Sequence, residues 1–183
     1  MHHYYYTCPY MNYTNLPIDY TRQYGYPAYP HGYAPFVPND HLPLEETRLK
    51  DYGKQPYVIN IEEAAKRNNN FRTAIWTGDN LQVTVMSIPV GGDVGLEVHP
   101  DVDQFLRIEE GQGVVQMGNT ESNLNFQRQV TEDYAIMVPA GKWHNLINTG
   151  NIPLKLYTIY APPEHPFGTI HRTQEESMRG ENY

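Results

Sequence analysis

Apolar and polar residues alternate in short runs along most of this chain, the pattern of half-buried strands. The runs predict strands over residues 57–61, 71–76, 81–88, 95–99, 104–108, 113–117, 124–130, 134–138, 143–147 and 154–160. Turn-forming residues separate them, as at Gly78-Asp79-Asn80, Gly118-Asn119 and Thr149-Gly150-Asn151. A helix is predicted over 62–68, ended by Asn68-Asn69-Asn70. A second short helix is suggested at 43–49, where Pro43 and two acids precede Arg48. Many short strands with little helix predict an all-β fold, an antiparallel sandwich or barrel.

Strand periodicity also assigns faces. Gln104, Leu106 and Ile108 share one side, read as inward, and Phe105 and Arg107 the other. From His144, Leu146 and Asn148 point the same way. Val83, Val85, Gln116 and Tyr157 are further candidates for the lining. Phe105, Trp143 and Ile147 are left on outer faces, which suggests a partner sheet and a homodimer.

Composition changes the picture at the amino terminus. Residues 1–33 hold ten of the sixteen tyrosines, and seven of the fifteen prolines precede Leu44. Asp19 and Arg22 are the charged residues before Asp40. Such a tract has no period and cannot bury a core, so 1–42 reads as an extended or disordered arm and 43–183 as the folded domain. The aromatic rings of the arm suit packing on another surface: its own barrel, a dimer mate, or an assembly. At the other end, an extension begins at about residue 161. Its prolines can lay His165 or His171 over the barrel mouth, or the segment can wrap the surface. The residues from Arg172 to Tyr183 read as a helical or frayed end.

A formal net charge of −8 argues against nucleic acid or an anionic membrane as partner. The single cysteine, Cys8, cannot form an internal disulfide. No apolar run of about eighteen residues suggests a membrane span, and the first residues lack the apolar region of a signal peptide, so a cytoplasmic setting is expected.

Candidate chemistry lies in two stretches. The first runs Gly91-Gly92-Asp93-Val94-Gly95-Leu96-Glu97-Val98-His99, then Gln104, then Gly111. The second holds Asp133, Pro139, Gly141, His144 and Asn148. Glu97 and His99, two apart, share a face on a strand. One carboxylate, two imidazoles and an amide suit a divalent metal ion, with Glu97, His99, Gln104 and His144 as ligands.

These stretches resemble the two motifs of the cupin superfamily, G-x5-H-x-H-x(3,4)-E-x6-G and G-x5-P-x-G-x2-H-x3-N. Glu97 stands where the first His is usual, Gln104 where the Glu is usual, and Asp133 where the second motif opens on Gly. The resemblance covers roughly residues 57–160 and implies a small double-sheet jelly roll, commonly dimeric, with a small-molecule ligand in the barrel. The carboxylate has moved rather than vanished, and an amide replaces one imidazole. This favours zinc, with iron(II) or manganese as alternatives, over copper and nickel. Gln, His, Glu and His also hold zinc in the larger cupin-fold phosphomannose isomerases, and short cupins of this kind are described as mannose-6-phosphate isomerase-like. The resemblance thus implies a metal-dependent isomerase acting on a small sugar or sugar-phosphate-like carbonyl compound, with Glu97, His165 and His171 as candidate catalytic groups. Against a phosphorylated substrate, no Gly-rich loop opens a helix, and Lys142, Arg107 and Arg128 are scattered. Three alternatives stand beside that reading: a metal-dependent dioxygenase, a barrel that binds no metal, and a structural cupin. The last would join spore-coat proteins through its arm, which looks like the Tyr-rich tails of such proteins.

Overall fold

The computed structural model describes residues 49–180. The Tyr/Pro-rich arm, its boundary at residue 42 and, apart from Leu49, the helix suggested at 43–49 lie outside the described residues. The described chain runs α1 (Ile61–Arg67), β1 (Arg72–Thr77), β2 (Gln82–Ile88), β3 (Asp103–Glu110), β4 (Gln112–Gly118), β5 (Phe126–Thr131), β6 (Ala135–Val138), β7 (Trp143–Asn148), β8 (Leu154–Ala161), β9 (Ile170–His171) and α2 (Gln174–Gly180). The strands form two antiparallel sheets, ordered β6-β3-β8-β2-β1-β9 and β5-β4-β7. This is the mostly-β double sheet expected from the runs of alternation. Among the described residues no helix is long and apolar enough to cross a membrane.

The inner faces enclose a core that includes Met86, Ile88, Leu106, Ile108, Val115, Leu146 and Leu156. Gln104, Leu106 and Ile108 are buried together, and so are His144, Leu146 and Asn148, as alternation requires. The proposed lining is corrected. Val83, Val85 and Tyr157 face outward, onto a second cluster with Ala64 and Ala65 of α1. Gln116 is only part-buried, between the inward Val115 and Met117. A period of two says which residues share a face but not which face is inside. On β2 and β8 both faces are covered, so both are apolar and the phase cannot be read. Phe105, Trp143 and Ile147 do face away from the core, yet each is half-buried; the Phe105 ring lies 6.0 Å from that of Tyr157.

Two strand predictions are also corrected. Residues 57–60 form no strand, because Asn60 caps α1, its side chain accepting from the Glu63 N–H at 3.2 Å. Glu62 and Glu63 in the first turn and Lys66 and Arg67 in the last complement the helix dipole. Ile59 and Ile61 pack on the α1 cluster instead of alternating in a sheet. Residues 95–99 make no continuous strand either. Gly95 has φ +94, which interrupts pairing, and only the single bridge Glu97↔His144 tacks the segment to β7.

The motif positions have backbone reasons. Gly111 has φ +90, and a Cβ there would stand 3.1 Å from the Pro153 carbonyl oxygen. Asp133, standing in for a motif glycine, adopts φ 71, a conformation Asp tolerates better than most residues. The segment after β8 belongs to the domain. The Gln82 side chain donates to the His165 carbonyl at 2.8 Å and accepts from its N–H at 3.0 Å. β9 then pairs with β1, and α2 offers Ser177 to the Arg72 guanidinium at 2.6 Å.

Candidate metal centre

Glu97 and His144 face each other because their backbones exchange two hydrogen bonds, of 3.0 and 2.9 Å. His99 lies two residues on, on the same side. The three side chains meet: Glu97 Oε1 stands 3.4 Å from His99 Nε2 and 3.3 Å from His144 Nε2. One ligand atom from each lies within 4.8 Å of the others, and both histidines are buried. Gln104 enters from β3 on the inner face, its amide donating to Thr158 Oγ1 at 3.2 Å.

Each donor is oriented by its other end. His144 Nδ1 lies 2.9 Å from the Lys142 carbonyl, which can only accept, so the proton is on Nδ1 and the lone pair on Nε2. His99 Nδ1 lies 3.1 Å from a Glu164 carboxylate oxygen, with the same consequence. His99 Nε2, His144 Nε2 and Gln104 Oε1 are all buried without a hydrogen bond. Three orphaned acceptors and one carboxylate are costly as they stand and suited to a cation. A four-coordinate ion bonded at about 2.1 Å holds its ligands about 3.4 Å apart, which is the spacing of Glu97 from the two imidazoles. The donor set therefore fits a divalent ion.

Electrostatics agree. Burial opposes a charge on Glu97, but hydrogen bonds from His144 and His99 when their Nε2 atoms carry protons, together with the Arg72 guanidinium, outweigh it and hold the carboxyl well below the usual range; an ion would take the place of those protons. Burial likewise opposes protonation of His99, yet Glu97 and Glu164 raise its pKa.

The remaining candidates, His165 and His171, lie outside that ligand cluster, His165 buried and His171 half-buried on the edge strand β9. The His165 ring packs edge-on to Tyr160 at 5.0 Å and lies 6.3 Å from His171. Tyr160 in turn lies 5.8 Å from the His99 ring. Burial, helped by Arg72, pushes His165 down to about 3, and burial pushes Tyr160 up to about 12. His171 is lowered by the same two causes. The sign for stability follows. His165 is neutral in the folded protein, while its unfolded value is about 6.5. Its contribution is therefore complete above that pH and is lost as pH falls towards 3. Melting curves should show His165→Asn less stable than the parent at pH 7, with the gap narrowing by pH 4, because the parent alone must discharge that proton to fold. A gap independent of pH would contradict the buried neutral ring.

Sequence reasoning missed Glu164, Arg72, Tyr160 and Thr158. Alternation from Leu154 and Leu156 could have found the last two. Arg72, opening a strand that continues Thr73-Ala74-Ile75, was a lone charge in a buried run. Glu164 carried no local signal.

Residues 84–160 match the Cupin domain family. The chain is a cupin. YrkC of Bacillus subtilis strain 168 is 63% identical to it over 134 residues, 73% of this chain and 72% of that protein. A protein of Acanthamoeba polyphaga mimivirus is 40% identical over 124 residues, 67% of this chain and 76% of that one. The crystal structure of BH2720 from Bacillus halodurans superposes with a TM-score of 0.70 at 62% identity, covering 71% of this cupin and 98% of that chain. A Klebsiella pneumoniae protein with a double-stranded β-helix domain, 16% identical with a TM-score of 0.51, shares the fold over 65% of this cupin and 100% of its own chain.

Proposed function

We propose that this cupin holds one divalent ion, zinc first, through Glu97, His99, Gln104 and His144, and acts on a small sugar-like carbonyl compound as an isomerase. The observation that carries the metal site is the set of three oriented, unpartnered donor atoms around the Glu97 carboxylate. Such an ion, when bound, polarises a carbonyl or enediolate oxygen. The chain supplies the rest. Glu97, held ionised by two imidazoles, serves as a ligand and is too weak a base to move a carbon-bound proton. His165 stays neutral at pH 7, and its buried Nε2 has no hydrogen bond, so beside the Tyr160 ring it offers a ligand an uncharged hydrogen-bonding group rather than a base. His171 offers an equally unpartnered Nδ1.

Elemental analysis of untagged protein tests the reading directly. About one ion per chain is the expected stoichiometry for a single four-ligand centre. Protein that arrives empty and also refuses zinc, iron(II) and manganese would overturn it. An aldose–ketose interconversion assay on the loaded protein then tests the isomerase assignment separately.

Glu164 provides a finer test. Its carboxylate fixes the His99 ring, so Glu164→Gln should weaken zinc binding by about tenfold or more in chelator competition. The exposed Glu121→Gln should leave affinity unchanged. Equal affinity in both variants would show that Glu164 does not orient the ligand.

A further inference from the structure

The four candidate ligands are held in two different ways. Gln104 and His144 stand on strands, β3 and β7. Glu97 and His99 stand on the loop between β2 and β3, which meets β7 through the isolated bridges Asp93↔Ile147 and Glu97↔His144 and turns at Gly95 with φ +94. The chain after β8 comes back onto that loop. Glu164 meets His99 Nδ1 at 3.1 Å. Further on, Gln174 opens α2, and its amide donates to Asp93 Oδ1 at 2.6 Å. The same oxygen accepts from the Gly95 N–H at 2.9 Å, so one atom joins α2 to the turn that precedes Glu97. Asp93 Oδ2 faces Asn145 Nδ2 of β7 at 3.4 Å. A Cβ at Gly95 would stand 3.7 Å from Met178 Cε and 3.8 Å from Gln174 Nε2, so α2 lies against the turn itself. The barrel anchors α2 in its turn: Ser177 is buried and accepts from Arg72 Nη1, and β9, just before α2, pairs with β1.

We propose that Asp93 and Gln174 are positioning residues of the metal centre, and that α2 is a clasp: its closure raises metal affinity, and an occupied centre holds it closed in return. This deepens the metal reading above and rests on it. The argument is one of order. Fixing a loop costs conformational entropy, and a site whose ligands are fixed beforehand is spared that cost on binding. With α2 docked, Asp93 is tied to the barrel and the turn at Gly95 is set. With α2 released, Asp93 keeps the Gly95 N–H but loses that tie, and Glu97 and His99 must be ordered when the ion binds. Glu164 aims one ring, whereas Gln174 acts on the backbone that carries two ligands. Linkage makes the effect reciprocal: the factor by which the closed clasp raises metal affinity is the factor by which the metal favours closure. The clasp is also built to open by itself. β9 spans two residues at the edge of its sheet and α2 seven, so both can undock while the barrel strands stay paired.

The test uses full-length protein, stripped of metal and then loaded with zinc. Amide hydrogen exchange over residues 170–179 should slow by about threefold or more on loading. Gln174→Ala should lower zinc affinity by about threefold or more in chelator competition and abolish that slowing. Arg179→Gln, on an exposed position of the same helix, should leave both as in the parent. Gln174→Glu separates position from charge. A nearby negative charge acting through space would tighten zinc, whereas a carboxylate set against Asp93 opens the clasp, so zinc should bind more weakly than in the parent. Exchange over 170–179 that zinc does not change, or zinc affinity equal in Gln174→Ala and Arg179→Gln, overturns the clasp while the metal reading stands. Tighter zinc binding in Gln174→Glu overturns positioning as the cause. Protein that takes up no zinc overturns the metal reading, and the clasp with it.

Discussion

His144→Ala should strip the metal from this cupin, and Gln104→Ala should only loosen it. His144 is 3% exposed and its imidazole is aimed by the Lys142 carbonyl, so its Nε2 is a fixed lone pair. Its loss leaves Glu97 with one imidazole neighbour instead of two. Gln104 offers a neutral amide oxygen, a weaker donor to a borderline ion than nitrogen. Chelator competition should therefore show zinc affinity reduced by more than about a hundredfold in His144→Ala, beyond the range for outer-shell changes, and by about tenfold in Gln104→Ala. Equal retention in both would count against direct coordination by His144. Circular dichroism should be unchanged in both, since the backbone pairing of β3 with β8 and of β4 with β7 stands without either side chain.

The largest loss of stability should come from Asn148→Ala. This motif residue, last in β7, is 1% exposed and ties three segments. Its amide nitrogen lies within 3.0, 3.2 and 2.8 Å of the carbonyls of Ile88, Pro89 and Ile152, and its oxygen accepts from the Gly150 N–H at 2.9 Å. Alanine removes all of these bonds; the Pro89 carbonyl keeps the Gly92 N–H, but the buried side-chain bond to the Ile88 carbonyl and the ties to Gly150 and Ile152 are lost. A cost of about 3 kcal/mol follows, which for a domain of this size lowers the melting temperature by roughly 10 °C. Asn151→Ala, on the exposed turn beyond, should move it little. A similar shift in both would show that the turn, not the Asn148 network, limits stability.

The second motif is thus two devices in one run of residues: Asn148 closes the fold, and His144 serves the metal centre. Spacing alone could pair them, because a period of two puts both on one face whatever the sheet does. The same regularity made β1 through β8 legible as strands, and made Glu97 and His99 neighbours on one side. Asp133 is a further case: its turn preference matched the backbone conformation of the motif glycine it replaces.

Where a decision depended on what lies across the molecule, local pattern had no purchase. Val83, Val85 and Tyr157 alternate as inner residues would, but α1 covers their face, and no run of residues within a strand records a helix packed behind it. Glu164 reaches His99 only because the chain after β8 turns back over the barrel and is held there by Gln82, a partner 83 residues away. Arg72 became part of the interior through its pairing with Met86 on the next strand and with His171, far along the chain. By itself, the sequence determined which residues share a face and which can ligate, since those follow from covalent geometry and side-chain chemistry. Only the tertiary structure decided which face is inside, what orients each ligand and which charge stands beside the centre, because burial and field arise from contacts between segments the chain order does not bring together.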